Sequence, residues 1–303
     1  MMFGQRSTAL DALLHRPRPS ALQQFLRAPC SFLARKIYTH RRPIPAAPPA
    51  NAISVVCISD THNSQPHLPD GDVLIHAGDL TQSGSPEELH AALAWLAAQP
   101  HPHKIVVAGN HDLLLDPQRD FDGGQAAARA LLDWGDVVYL RDSAATVVCA
   151  NGRRLRVYGS PRSARHGNWA FQYPREEDVW AGVVPGGVDV LVTHGPPRAH
   201  LDSLGLGCRH LLRELWRVQP ALHVFGHVHE GYGREWLLFD GLQDAYERTI
   251  IAGGGVWNLA RVLHEFVRGL FWPATEARCL LVNPSMVGGL RDDERRRPIK
   301  VDI

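Results

Sequence analysis

"ISVVCISDTHN", residues 53–63, is a short apolar run that ends abruptly on a serine, an acid and a histidine. A run of this length, rich in Val and Ile and bounded by polar residues, reads as a buried strand. The same arrangement recurs along the chain. Val73–Ile75 precedes "HAGD", Ile105–Val107 precedes "AGNHD", Val188–Val192 precedes "THGPP", and Leu222–Phe225 precedes "GHVH". Each time a small residue and then an acid, amide or histidine follows the run.

Helical stretches separate these runs. In "SPEELHAALAWLAAQ", Ser85 stands at the N-cap, Pro86 at the first helical position and Glu87 and Glu88 in the first turn, with Leu89, Leu93 and Leu96 on one stripe. In "GCRHLLRELWRVQP", Leu211, Leu212, Leu215 and Val218 repeat at helical spacing before Pro220. Strands alternating with helices imply an α/β fold with buried sheets. In such folds, polar residues just past the carboxyl ends of strands gather into a site. No repeat of fixed period is visible, and no second set of elements is complete enough to form another domain of this kind.

The bulk numbers are ordinary: 303 residues, 45% hydrophobic, 21% charged, net charge +1, and no run near the ~18 apolar residues of a membrane span. The charge is uneven. Residues 1–50 carry eight Lys/Arg against one acid, Asp11, which leaves 24 bases and 30 acids beyond. A body of that sign argues against a face for duplex nucleic acid, since phosphate neutralisation needs surplus Lys and Arg. The head, with "SFLARKIYTHRRP", is expected to be a basic, flexible extension, a surface-seeking helix or a mitochondrial transit peptide, with Pro43, Pro45, Pro48 and Pro49 as a stiff linker. Five widely spaced cysteines without a CxxC pair or a secretory signal suit a reducing compartment, so a cytoplasmic location is expected, with the mitochondrion as alternative. They also leave His, Asp and Asn as the candidate metal ligands.

The strand ends supply them: Asp60 and His62 from DTH, Asp79 from GD, Asn110 and His111 from GNHD, His194 from TH, and His227 with His229 from GHVH. Imidazole and carboxylate suit Mn, Fe or Zn, and one carboxylate can give an oxygen to each of two ions. Singly these motifs are weak. In this order, each after an apolar run, "VVCISDTHN", "LIHAGDLT", "VVAGNHD", "YGSPRS", "DVLVTHGPP" and "HVFGHVHEGYG" resemble the calcineurin-like metallophosphoesterase superfamily, in particular its metallophosphoesterase-domain-containing branch, which is associated with class III cyclic nucleotide phosphodiesterases. The likeness runs over roughly residues 53–233 and resumes at "LVNPS" and "RRPIKVDI".

The resemblance implies two mixed β-sheets sandwiched between helices, over a domain of residues 51–303 with an insertion at about 234–280. It implies a dinuclear centre: Asp60, His62 and His229 on one divalent ion, Asn110, His194 and His227 on the other, and Asp79 bridging. Manganese is the ion favoured in vitro. Two divalent ions less Asp60, Asp79 and a hydroxide leave a charge of about +1, enough to attract a phosphate anion. His111 is then the residue that faces phosphate and serves as acid, with Asp112 nearby. The expected activity is metal-dependent hydrolysis of a phosphodiester in a small nucleotide-type substrate such as a cyclic nucleotide. The alternatives are a phosphomonoesterase or a scaffold protein that keeps the fold without catalysis.

One departure narrows the substrate. Protein phosphatases of the superfamily read GDxxDRG, whereas this chain reads "GDLTQSG", so a phosphoprotein is not expected. Arg162, Arg165, Trp169 and Phe171 form either a phosphate- and base-meeting set or a packed surface loop. The remaining histidines, His166 among them, are read as core or surface residues, and His76 and His223 as those that brace ligands. Within 234–280, "VWNLARVLHEFVRGLFW" is read as an amphipathic helix and "IIAGGGV" as a strand and turn. Phe266, Leu270, Phe271 and Trp272 add a peripheral membrane or partner contact as the alternative to simple packing.

Overall fold

The computed structural model describes residues 19–41, 50–119, 124–272, 277–288 and 294–303. Two helices, α1 (Ala21–Arg27) and α2 (Pro29–Thr39), come first, then β1 (Ser54–Ile58), β2 (Val73–Ala77), α3 (Pro86–Ala97), β3 (His103–Val107), α4 (Gly124–Ala130) and β4 (Val137–Tyr139). They are followed by β5 (Ser143–Val148), β6 (Arg154–Ser160), the two-residue strands β7 (Ser163–Ala164) and β8 (Gln172–Tyr173), β9 (Val190–Thr193), α5 (Arg209–Val218), β10 (Leu222–Val224) and β11 (Gly233–Leu238). Helices α6 (Gly241–Ile251) and α7 (Val256–Phe271) lead to β12 (Arg278–Asn283), β13 (Val287–Gly288), β14 (Glu294–Arg295) and β15 (Ile299–Asp302).

The main strands form two mixed sheets, in the orders β15-β1-β2-β3-β4 and β11-β12-β10-β9-β6-β5. The first is parallel except for β15, and the second is parallel at its centre and antiparallel at β11 and β5. Alternate residues explain the layering. Val55, Cys57, Ile75, Ile105 and Val107 of the first sheet pack with Val157, Val190, Val192, Val224 and Val282 of the second. The intervening residues Val56, Ile58, Leu74 and Val106 meet Leu89, Leu93 and Leu96 of α3, while Tyr158, Leu191 and Leu281 meet Leu211, Leu212 and Leu215 of α5. Strands buried on both faces must be apolar throughout, which is why their sequences run without alternation. Each such Val, Leu or Ile contributes about 1.5–3 kcal/mol by leaving water. The fold is therefore α/β, with two sheets between layers of helix.

Helix boundaries follow the local chemistry. The Ser85 hydroxyl accepts the Glu88 amide at 3.2 Å and Pro86 opens α3, while α5 closes at Gln219 in the left-handed region, just before Pro220.

Two segments depart from expectation. Residues 21–39, expected in a flexible extension, form α1 and α2. Ser20 and Gln23 make a capping box, Pro29 opens α2, and Ser31, Ala34 and Tyr38 lie buried on one stripe. Tyr38 stacks on Tyr246 at 4.0 Å and its hydroxyl donates to Gln243 at 2.8 Å. The basic composition of the head conceals this face because small residues supply most of it. Residues 1–18 and the prolines of the expected linker, Pro43, Pro45, Pro48 and Pro49, lie outside the described residues. Within 234–280, β11 pairs with β12 from Gly233↔Asn283 to Leu238↔Arg278, so the excursion from the sheet is shorter than expected. "IIAGGGV" is no strand, because Ile250 continues the buried stripe of Leu242 and Tyr246 to the end of α6 and the glycines make the turn.

The helices α1, α2, α6 and α7 belong to one compact unit and the sheets to another. Among the described residues no helix is long and apolar enough to cross a membrane.

Candidate metal centre

Parallel neighbours β1, β2 and β3 in one sheet and β9 and β10 in the other end at the same edge, and the polar residues that follow them meet there. Four of these residues, Asp60, His62, Asp79 and His227, have left-handed φ values of 52°, 43°, 53° and 67°. A non-glycine residue adopts this conformation at a cost of order 1–3 kcal/mol, which the surroundings must offset. Hydrogen bonds do so: Asp60 N donates to Gly78 O at 2.9 Å, His62 N to Asp79 O at 3.2 Å, and His227 N to Asp60 Oδ1 at 3.0 Å. Glycine permits the close approach. A Cβ on Gly109 would stand 2.2 Å from Asp79 Oδ1, and one on Gly226 would stand 2.2 Å from Asp60 Oδ2. The glycines before Asn110 and His227 thus have a steric reason.

Two clusters result, each with ligand atoms within 4.8 Å of one another: Asp60, His62 and His229, and Asp79, His194 and His227. His227 and His229, two residues apart, therefore fall into different clusters. Asp79 lies between them, with Oδ2 3.4 Å from His194 Nε2 and 3.8 Å from His62 Nε2. Asn110 Oδ1 is 3.0 Å from the same His194 nitrogen, and Asp60 Oδ1 is 3.3 Å from His229 Nε2. A third grouping joins His62, Asp79 and His111.

The donor chemistry fits cations. His194 Nδ1 donates to Ala77 O at 2.9 Å, a carbonyl that can only accept, so in the neutral ring Nε2 presents a lone pair to the oxygens of Asp79 and Asn110. Three facing acceptors repel unless a proton or metal lies among them. Burial works against charge on His194, but the carboxylates of Asp79 and Asp60 outweigh it and push its pKa up to about 9. Burial likewise opposes ionisation of Asp60 and Asp79, and the neighbouring histidines, His229 for the first and His194 for the second, hold both well below the usual carboxylate range. Burial pushes His227 down to about 3, leaving a neutral imidazole. Both ring nitrogens of His62 are buried without a hydrogen-bond partner among the described residues, the state expected of a side chain shaped for an ion.

His111 stands at the rim. Its Nδ1 donates to Gln82 O at 2.7 Å, and its ring lies between His62, edge-on at 4.7 Å, and Trp169, stacked at 4.2 Å. Its backbone amide donates to Asp79 Oδ1 at 2.7 Å. Asp112 does not orient the ring. Its buried carboxylate accepts from Gly109 N at 2.7 Å and from the Thr81 hydroxyl at 2.7 Å, tying the loop after β2 to the loop after β3. Burial and the nearby Asp79 raise its pKa to about 6. His76 and His223 each meet a threonine beside a cluster residue, at 2.9 Å to Thr61 and 2.8 Å to Thr193.

Sequence reasoning missed three participants. The Ser285 hydroxyl donates to Asp60 Oδ2 at 2.8 Å, and a bridge between Ser59 and Ser285 carries this contact from one sheet to the other. Asn283 Oδ1, 2.7 Å from the same hydroxyl oxygen, competes with Asp60 for its single proton. His166, read as a bystander, has its ring 4.7 Å from His227. "LVNPS" carries the first two in sequence, but nothing local states their role. Of the four loop residues, Trp169 reaches the centre through His111, whereas Arg162 is held by Asp142 at 3.1 Å and Phe171 packs toward the core of the first sheet. A cavity of about 600 Å³ is lined by Arg141, Arg162 and Arg165 together with Asp116, Asp142 and Glu177, and by Phe171 and Tyr173, and Gln172 in its wall bonds His166 at 2.8 Å.

Comparison with known proteins points the same way. The family model described as calcineurin-like phosphoesterase matches residues 53–231. The chain is 44% identical over 302 residues to probable rhamnogalacturonate lyase C of Emericella nidulans, an alignment covering 98% of this chain and 29% of that protein. It is 40% identical over 221 residues to metallophosphoesterase domain-containing protein 1 of Homo sapiens and of Mus musculus, covering 63% of this chain and 65% of each relative. The chain thus spans less than two thirds of the length of these relatives.

Proposed function

The chain belongs to the calcineurin-like phosphoesterase family, and from that premise we propose that it is a phosphodiesterase acting on a small nucleotide-type substrate with two divalent cations, manganese serving in vitro. Members of the family are hydrolases of phosphate esters that use divalent metal ions. Asp60, His62 and His229 would hold one ion, Asn110, His194 and His227 the other, and Asp79 would be shared. The observation that carries this reading is Asp79 Oδ2 facing His194 on one side and His62, otherwise unpartnered, on the other. Ions bound there supply Lewis-acid stabilisation of the phosphoryl oxygens and lower the pKa of a water nucleophile.

The chain's own residues supply the rest. Because Nδ1–H of His111 is committed to Gln82 O, Nε2 is the nitrogen left to face the departing oxygen, and it would give up a proton there from the imidazolium form, in which both ring nitrogens carry one, returning to a neutral ring that keeps the bond to Gln82. Trp169 keeps that ring from turning away. The phosphodiester reading draws on the cavity of about 600 Å³, which Gln172 links to His166 and whose mixed polar and aromatic wall offers room for the part of a substrate beyond the phosphate. The lyase name of one relative attaches to a protein of which this chain spans 29%, and the phosphoesterase reading rests on the donor set instead.

The test is hydrolysis by purified protein with Mn²⁺ of bis(p-nitrophenyl) phosphate, p-nitrophenyl phosphate, and 2′,3′- and 3′,5′-cyclic nucleotides. Diesters are expected to be cleaved in preference to the monoester, and Asp79→Asn to lower the rate by more than about 100-fold with the fold intact by circular dichroism. Preference for the monoester would make the protein a phosphomonoesterase. Full activity of Asp79→Asn would overturn the assignment.

A further inference from the structure

The apolar surface of the helical unit is out of proportion to its size. Leu22 and Leu26 of α1 are 66% and 70% exposed, and on α7 Val256, Trp257 and Phe271 are 72%, 88% and 74% exposed. At about 100° per residue, Leu270, Leu263, Val256, Val267, Ala260, Phe271 and Trp257 fall within one arc of about 140°. His264 is the single polar residue inside it. A soluble helix buries an arc of that width. Here the inward face is a different one, carrying buried Val262 with half-buried Leu259 and Phe266. So α7 has two apolar faces, and no described residue covers its outer one.

Charge identifies what suits that face. The stretch 19–41 carries Arg27, Arg35, Lys36 and Arg41 and no acid, while 241–272 balances three arginines against three acids. On α6 and α7 the acids are already engaged: Asp244 pairs with Arg248 at 2.8 Å and Arg261 at 3.2 Å, and Glu265 pairs with Arg268 at 2.7 Å. Arg27, Arg35 and Lys36 have no acidic partner among the described residues. The surplus of the unit is therefore positive, and the same unit exposes Leu, Val, Phe and Trp. Aromatic residues at the two ends of α7, Trp257 at one and Phe271 with Trp272 at the other, are the type that settles at a boundary between water and hydrocarbon.

We propose that the helical unit docks on an anionic lipid surface, with α7 lying in the interface on its outer apolar face and the arginines and lysine of α1 and α2 meeting lipid phosphates and carboxylates. A helix of 16 residues, about 24 Å long, lies in such a plane without spanning the bilayer. The lipid bears no relation to the phosphate-ester site, and the proposal stands or falls apart from it.

The experiment is co-sedimentation of the full chain with vesicles of phosphatidylcholine alone and with about a third phosphatidylserine. At least about tenfold more protein should sediment with the anionic vesicles, and about 0.5 M salt should release it. The double variant Trp257→Ser with Phe271→Ser should lose binding, and so should Arg27→Glu with Lys36→Glu, while both keep the wild-type circular dichroism spectrum and melting temperature as proof of folding. Equal binding to neutral vesicles, or binding untouched by either pair, would overturn the proposal. So would a stable dimer by light scattering that Trp257→Ser dissolves, because the face would then belong to a second copy.

Discussion

The edge where the two sheets meet and the helical unit treat polarity in opposite ways. At the sheet edge, Asp60, Asp79, Asn110 and His194 are almost wholly buried, and each is fastened to a named partner. On α7, Trp257 and Phe271 are largely in water and fastened to little. The contrast separates two ways of being functional. A buried polar cluster costs desolvation and backbone strain, which only an internal network or a bound ion offsets. An exposed apolar face costs nothing in the fold's interior, but it calls for a partner outside the chain.

The largest effect that would sharpen this contrast is expected at Ser285. Ser285→Ala removes the hydroxyl that holds Asp60 Oδ2 and leaves the histidines in place. Metal affinity, read by calorimetry, should fall by about 10- to 100-fold, the usual consequence of losing a ligand's support. Affinity equal to wild type would mean that the fastening of Asp60 does not matter.

A smaller effect concerns pH. In the metal-free protein the carboxylates of Asp79 and Asp60 overcome burial and push the pKa of His194 up to about 9, so below that pH an incoming cation must displace a proton from it. Apparent metal affinity should therefore rise with pH between about 6 and 9, by at most about tenfold per unit, and level off above. His194→Asn should flatten this dependence while weakening binding throughout.

The smallest effect tests the regions against each other. His76 and His223 are buried and, chiefly by that burial, pushed down to about 3, whereas in the unfolded chain they titrate near 6.5. Between these values the unfolded chain binds more protons, so stability is full above about 6.5 and is lost as pH falls toward 3, by about 1 kcal/mol per unit for each group. The described histidines of the helical unit, His40 and His264, are exposed. Hydrogen exchange of metal-free protein at pH 7 and pH 5 should show the sheet amides losing more protection than those of α6 and α7. Uniform loss would sink the distinction.

Much of this molecule could be read from short strings. The sheet layers followed from apolar runs, because strands buried on both faces leave no alternation to misread. The eight polar residues at the strand ends were legible for a related reason: parallel strands deliver whatever follows them to one edge. What could not be read depended on register. Ser285 reaches Asp60 only through the bridge at Ser59, and Gln82 reaches His111 only because Asp112 joins their loops. The buried face of the helical head was missed for another cause. Its buried stripe is Ser31, Ala34 and Tyr38, and counting bases over fifty residues averages such a stripe away.

The strands that flank α6 and α7 are still in register at Leu238 and Arg278, so the chain leaves and rejoins the sheet at a single doorway. A short hairpin turn could close that doorway with the ladder undisturbed. The segment that would then be orphaned is α2, whose Tyr38 has its stacking partner on α6, two hundred positions downstream. Pieces so far apart along the polypeptide form one removable cassette, and a trimmed version that drops either half is expected to misbehave unless it drops both.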